Sequence, residues 1–170
     1  MTEQRRLIVM RHAKAEPYAT TDLARRLTDR GRGQAAVAGA RLAAQGLVPD
    51  HAVVSTAERT RMTWDEVARE TGAGDVAQLD GAVYTGGVDV VLEVLRTVPA
   101  DVRTLMYVGH NPTAAYVCHL LDDGEGDDEA MGGLLRGFPA GALVVFEVAV
   151  PWEDLGPETG RVVDFHAPSP

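Results

Sequence analysis

Short apolar runs, separated by segments with helical spacing, constrain the fold of this 170-residue chain more than any other feature. The first run is "LIVM", directly before position 11. The early runs are continuous and do not alternate with polar residues, which is typical of strands buried on both faces. The runs predict six strands, over residues 7–10, 52–55, 76–79, 104–108, 142–148 and 162–165.

The segments between these strands carry apolar residues at the spacing of a helix face. The clearest stripes lie at positions 36, 40, 43 and 47 and at positions 91, 94, 95 and 98. Three helix starts are predicted as well. Thr28 can cap the first helix, Ser55 and Glu58 of "STAE" form a capping-box pattern, and Asn111 can cap a helix with Pro112 in its first turn.

Strands that alternate with helices predict an α/β fold with right-handed crossovers. We therefore expect a three-layer sandwich, with a mainly parallel central sheet and helices on both of its faces. The alternation stops after residue 122, where we expect an irregular, glycine-rich loop that leads to the last two strands. These strands are predicted to form an antiparallel hairpin at the C-terminal edge of the sheet. No linker divides the chain, so we expect a single domain over residues 1–170.

The charge and the N-terminus of the chain argue against several classes of protein. Acidic residues outnumber Lys and Arg by 25 to 16, so most of the surface would repel a nucleic acid. No apolar run approaches the roughly 20 residues of a membrane span, and "MTEQRRLIVM" lacks the pattern of a secretory signal. Cys118 is the only cysteine, which leaves no intrachain disulfide. We expect a cytoplasmic monomer with no nucleic-acid or membrane partner.

Four nitrogen-rich side chains lie where predicted parallel strands end. Arg11 and His12 follow the first strand directly, Arg59 lies one turn into the helix after the second strand, and His110 follows the fourth. Ligands of open α/β sheets bind at the carboxyl ends of the strands, so these residues should converge in space. Each has an ordinary structural explanation when taken singly, and it is their joint placement that indicates a site.

The chemistry of the four side chains suits a phosphoryl group. Two arginines offer forked donors that match phosphate oxygens, and the helix N-termini add backbone N–H groups. Nearby positive charge disfavours the imidazolium, so the histidine pKa should fall and leave an uncharged nucleophile for phosphorus. The residues therefore predict phosphoryl transfer through a phosphohistidine intermediate.

The segments "RHA", "STAERTRMT" and "VGHNPT", which follow the first, second and fourth strands, resemble the histidine phosphatase superfamily. The short chain and "LTDRGRGQA" are similar to its SixA-type phosphohistidine phosphatase branch. This resemblance implies that His12 is the nucleophile that becomes phosphorylated, that Arg11 and Arg59 bind the phosphate, and that His110 completes the pocket. The chain departs from the family's usual "RPLT" by having Arg26 in the proline position.

The general acid of the wider superfamily, a Glu or Asp after the third strand, has no clear counterpart. Asp80 and Asp89 are the carboxyls of that region, and Asp22, ahead of "LTDRG", is a further candidate. The acid is therefore left unassigned. An alkoxide is strongly basic and leaves slowly without a proton donor, whereas imidazole is less basic and needs less help. A site without an acid therefore favours cleavage of a P–N bond or an aryl ester. No cap insertion is evident, and the pocket should be open enough for a phosphorylated protein side chain.

Two alternatives stay open at this point. The chain could be a general phosphomonoesterase of small phosphorylated molecules, or a module that binds phosphate or phosphoproteins without turnover. His12 and Glu16 are four residues apart but lie in a predicted loop, so we expect no metal and no other cofactor. The role of the acidic run "DDGEGDDE", at 122–129, is not evident from the pattern.

Overall fold

The computed structural model describes residues 4–170. Within this range, six strands form one sheet: β1 (Arg5–Arg11), β2 (His51–Ser55), β3 (Ala77–Asp80), β4 (Thr104–Gly109), β5 (Leu143–Val148) and β6 (Gly160–His166). The helices are α1 (Asp29–Ala44), α2 (Glu58–Thr71), α3 (Ala82–Thr85), α4 (Val88–Arg96), α5 (Thr113–Leu121) and α6 (Asp128–Arg136), with a 3₁₀ turn at Trp152–Asp154.

The strand order is β3-β2-β4-β1-β5-β6. The first four strands of the chain run parallel, whereas β5 pairs antiparallel with both β1 and β6. The predicted mainly parallel sheet with a C-terminal antiparallel hairpin is therefore confirmed. The observed strands differ from the predicted ones by only a few residues at their ends.

Helices cover both faces of the sheet, because successive strand residues point to opposite sides. Leu7 and Val9 of β1 face a core built with α4, α5 and α6. Ile8 and Met10 face a second core, built with α1 and α2. All four side chains are fully buried. Burial on both sides explains why this run is continuously apolar, and it confirms the three-layer sandwich.

The predicted helix starts differ in their outcome. Thr28 caps α1, and its Oγ1 accepts a hydrogen bond from the Gly31 N–H at 2.9 Å. The capping box at Ser55 is wrong, since β2 continues through that residue and the N-cap of α2 is Ala57, which makes no side-chain cap bond. Asn111 lies one residue before the N-cap of α5, and its Oδ1 accepts from the Ala115 N–H at 3.2 Å.

The segment after residue 122 is not the continuous irregular loop that was predicted, because it contains α6. Glycines at positions 132 and 133 weaken its local helix signal. Asp127 caps the helix by accepting a hydrogen bond from the Ala130 N–H at 2.9 Å. Packing requires Gly133, since a Cβ at this position would collide with the Phe165 ring of β6. Tertiary contacts with β6 thus stabilise a helix that propensity disfavours.

The sheet order places the ends of β2, β4 and β1 side by side. At this edge the chain leaves β1 at Arg11, and the His12 N–H donates to the Gly109 carbonyl of β4 at 3.0 Å. The residues that follow these three strands therefore meet at one place, as the sequence predicted.

At the end of β4, position 109 has no room for a side chain. A Cβ there would collide with the hydroxyl of Tyr107, which is fully buried. We expect Gly109→Ala to lower the free energy of unfolding by about 1–3 kcal/mol through overpacking, measured by urea denaturation. Gly33→Ala is the control, because no atom beyond the neighbouring residues and the backbone of α1 lies within 4 Å of the added Cβ, and α1 should gain stability. An unchanged stability for Gly109→Ala would contradict this account of the strand end.

Candidate active site

The four residues singled out by the sequence converge at the carboxyl ends of β1, β2 and β4. The His12 and His110 ring centroids lie 5.4 Å apart. Arg59 Nη2 lies 3.3 Å from His110 Nδ1. The positive charges of Arg11 and Arg59 both act on the two imidazoles. His12 is only 9% exposed and Arg59 only 5% exposed, so the cluster is largely shielded from water.

His12 has a defined tautomer. Its Nδ1 lies 2.7 Å from the carbonyl oxygen of Ala13, and a carbonyl can only accept a hydrogen bond. Nδ1 therefore carries the proton and donates it, and Nε2 of the neutral ring keeps a free lone pair. The neighbouring carbonyl thus leaves the side chain with one nucleophilic nitrogen.

His110 is held from both of its nitrogens. Arg59 can only donate, so His110 Nδ1 accepts from it. His110 Nε2 lies 2.8 Å from Ser55 Oγ and, in the neutral ring, donates to it. Ser55, predicted as a helix cap, instead fixes the orientation of His110.

Both imidazoles are uncharged at neutral pH. Burial is the main cause that lowers the pKa of His12 to about 3, and the positive charges of Arg59 and Arg11 act in the same direction. Burial, followed by the charge of Arg59, lowers the pKa of His110 to about 4. The expected uncharged imidazole is therefore present, although desolvation contributes more to it than the cationic field does.

Each of the two arginines has a buried N–H donor that is not hydrogen-bonded to the described residues. Arg11 Nη1 donates to the Phe138 carbonyl at 3.3 Å, and Arg59 Nη1 donates to the Asp22 carbonyl at 2.8 Å. The Nε–H groups of Arg11 and Arg59 are buried and have no hydrogen-bond partner among the described residues. Buried polar groups are rarely left unpaired, so these donors are suited to an anionic ligand.

Asp22 is the candidate acid that the structure places beside the cluster. Its Oδ2 accepts from Arg59 Nη2 at 3.0 Å and from the Tyr84 hydroxyl at 2.6 Å, and its Oδ1 accepts from Arg25 Nε at 3.1 Å. The bond from Tyr84, followed by Arg59, lowers the pKa of Asp22 to about 2. At neutral pH this carboxyl is ionised.

The other two candidate acids lie in different surroundings. Asp80 is the last residue of β3, and its Oδ1 accepts from the Ala82 N–H at 2.9 Å. Asp89 is exposed in the first turn of α4.

Two further residues position the site but were not among the predicted site residues. Tyr84 of α3 packs its ring edge-on against His110, with centroids 5.6 Å apart.

Thr63 is fully buried in α2 and links two segments of the site. Its Oγ1 accepts from the Ala13 N–H at 3.1 Å and donates to the Arg59 carbonyl at 2.7 Å. This bridge fixes the chain after His12 relative to Arg59.

Residues 4–170 contain neither a cluster of metal ligands nor a membrane-spanning helix. No group of three or more His, Cys, Asp or Glu side chains in this range is arranged to hold a metal ion. No helix in the same range has the length and apolar character needed to cross a membrane.

Comparisons with known proteins show the family to which the chain belongs. Residues 7–81 match the family "Histidine phosphatase superfamily (branch 1)". An uncharacterised protein of Mycobacterium tuberculosis is 34% identical over 161 residues, covering 94% of this chain and 99% of that protein.

Two solved SixA structures, for which phosphohistidine phosphatase activity is proposed, have the same fold. The protein from Nakamurella multipartitia is 33% identical with a TM-score of 0.84, and the match covers 97% of this chain and 96% of that one. The protein from Agrobacterium tumefaciens is 28% identical with a TM-score of 0.80, covering 96% of this chain and 98% of that one.

The chain belongs to the histidine phosphatase superfamily and is of the SixA type. The family and these neighbours support a phosphatase function, with a phosphorylated substrate and inorganic phosphate as product.

The Thr63 bridge can be tested by an isosteric change. Thr63→Val removes the acceptor of the buried Ala13 N–H, which should cost about 1–3 kcal/mol in the free energy of unfolding. Because the bridge positions His12 against Arg59, kcat on p-nitrophenyl phosphate should also fall by about tenfold. Thr71→Val is the matched control, since Thr71 makes a similar bond to the Val67 carbonyl at the far end of α2. Equal kcat values for the two variants would refute the positioning role.

Proposed function

We propose that the protein is a phosphohistidine phosphatase, which cleaves a P–N bond without a metal and carries the phosphoryl group transiently on His12. The observation that carries the proposal is the state of this ring. Its Nδ1–H donates to the Ala13 carbonyl, and its Nε2 lone pair lies in a cluster with the buried Arg59 and the half-buried Arg11. Such an arrangement supports attack on phosphorus.

In the first step of this mechanism, the Nε2 lone pair of His12 forms a bond to phosphorus while the bond to the leaving nitrogen breaks. The leaving imidazole takes the electron pair of the broken bond. His12 keeps its Nδ1 proton throughout and gains positive character, which the Ala13 carbonyl stabilises. In the second step water attacks phosphorus, the P–Nε2 bond breaks, its electrons return to Nε2, and phosphate leaves with the oxygen and both protons of the water.

The arginines and His110 stabilise the phosphoryl group in this scheme. The unpartnered Nε–H groups of Arg11 and Arg59 are donors for the phosphoryl oxygens. His110 accepts from Arg59 and so orients its guanidinium. Phosphoryl transfer depends mainly on positioning and charge stabilisation, and these contacts supply both.

The proton requirement favours a P–N substrate over an alkyl ester. An alkoxide is strongly basic and leaves slowly without a proton donor. Asp22, with a pKa of about 2, has no proton to give at neutral pH. Phosphohistidine protonated at its distal ring nitrogen already carries the proton that its leaving imidazole retains. A site with an ionised carboxylate in place of a general acid is consistent with this substrate class.

The covalent intermediate provides the direct test. Wild-type protein mixed with ³²P-labelled phosphoimidazole and quenched rapidly in alkali should carry label on one histidine, and the label should be lost in acid. His12→Ala should lose the label, and its kcat should fall by about 10³-fold or more. His119→Ala is the control, because His119 is exposed on α5 and should behave like wild type. Chelators should leave turnover unchanged.

Other results would favour the alternatives. Turnover that disappears with EDTA and returns with a metal would contradict the metal-independent mechanism. A strong preference for small sugar phosphates over phosphohistidine proteins would indicate a general phosphomonoesterase. Phosphate binding without turnover of any substrate would indicate a binding module.

A further inference from the structure

Asp22 lies between the buried cluster and solvent. Its side chain is 55% exposed, yet its carboxylate bonds to Arg59, whose side chain is 6% exposed. Arg59 in turn contacts His110, whose ring neighbours that of His12. The carboxylate is therefore at the mouth of the site, one guanidinium away from the histidine pair.

An in-line displacement directs the leaving group towards this mouth. The nucleophile and the leaving group lie on opposite sides of the phosphorus. His12 is on the buried side, so the leaving group must depart on the side that opens to solvent. A substrate bound for attack by His12 thus places its leaving group near Asp22.

The surroundings of Asp22 fix a carboxylate in place and leave it room for one more donor. Tyr84 and Arg59 bond to Oδ2, and Arg25 bonds to Oδ1. A carboxylate has about four acceptor positions, so these three donors leave about one position for a substrate N–H. The three donors come from different segments of the chain, which holds the group firmly although it is exposed.

We infer that Asp22 determines specificity, by favouring substrates whose leaving group carries a positively charged N–H and disfavouring phosphate esters whose leaving group carries a second anion. The inference deepens the proposed function and rests on it. A phosphoimidazole protonated at its distal nitrogen is the favoured class of substrate. The carboxylate accepts a hydrogen bond from that N–H, which stabilises the form whose P–N bond breaks with neutral imidazole as the leaving group.

The role differs from that of the acid for which Asp22 was first considered. An acid would transfer a proton to the leaving atom, whereas here the proton stays on the distal nitrogen. The ionised state of the carboxyl, with its pKa lowered by Tyr84 and Arg59, agrees with acceptance and not with donation.

Three substrates measure the effect of this charge: phosphoimidazole, p-nitrophenyl phosphate and 4-carboxyphenyl phosphate. In Asp22→Asn, kcat/KM for phosphoimidazole relative to p-nitrophenyl phosphate should fall by about tenfold, as expected for loss of a hydrogen bond between charged groups. The ratio for 4-carboxyphenyl phosphate should rise. Asp22→Glu keeps the charge and should restore both ratios in part. Asp75→Asn removes the same charge from an exposed position before β3 and should leave both ratios unchanged.

Ionic strength separates a charge effect from a structural one. The wild-type ratios should move towards those of Asp22→Asn as salt rises, because salt screens exposed charges, while the ratios of Asp22→Asn should stay constant. If Asp22→Asn lowers kcat/KM by the same factor for all three substrates, Asp22 only holds Arg59 and the inference is wrong. If wild type cleaves both aryl phosphates but not phosphoimidazole, the proposed function fails, while the aryl pair still reports on the charge of Asp22.

Discussion

The hydrogen bond from His12 Nδ1 to the Ala13 carbonyl decides which chemistry the site can perform. It holds the ring proton on Nδ1, so the lone pair belongs to Nε2. Burial adds the second condition, because a pKa of about 3 keeps the ring uncharged over the physiological range. A ring with the opposite tautomer would present an N–H to phosphorus, and a protonated ring would have no lone pair to offer. The two arginines could bind a phosphate with the ring in either of these other states. Only the neutral Nδ1–H ring provides a nucleophile that can attack it.

Holding two arginines in a largely buried site requires partners, since a buried charge is costly unless it is paired or hydrogen-bonded. Arg59 meets this need on one side through Asp22 and His110, and Arg11 through the Phe138 carbonyl. These contacts occupy Nη groups and leave the Nε–H groups unpaired among the described residues. The contacts that stabilise the arginines therefore also orient them. The cationic donors are already ordered before a substrate binds.

The sheet and the four central residues could be predicted because both follow from local pattern. A continuous apolar run reads as a strand buried on both faces, and parallel strands bring whatever follows them to one edge. Other features depend on the path of the chain in space. "STAE" matches a capping box, yet strand pairing extends β2 through Ser55 and frees its hydroxyl for His110. The glycines of α6 weaken its helix signal in the sequence, although packing on β6 stabilises the helix. The contact between Asp22 and Tyr84 joins residues 62 positions apart, and no local pattern records it.

The state of the His12 ring is the central claim, and ¹⁵N NMR of the imidazole measures it most directly. The structure predicts a neutral Nδ1–H tautomer that persists from roughly pH 8 down to roughly pH 5, well below the unperturbed histidine pKa of about 6.5. The predicted midpoint of its titration is about 3. An Nε2–H tautomer, or a titration centred near the unperturbed value, would contradict the account.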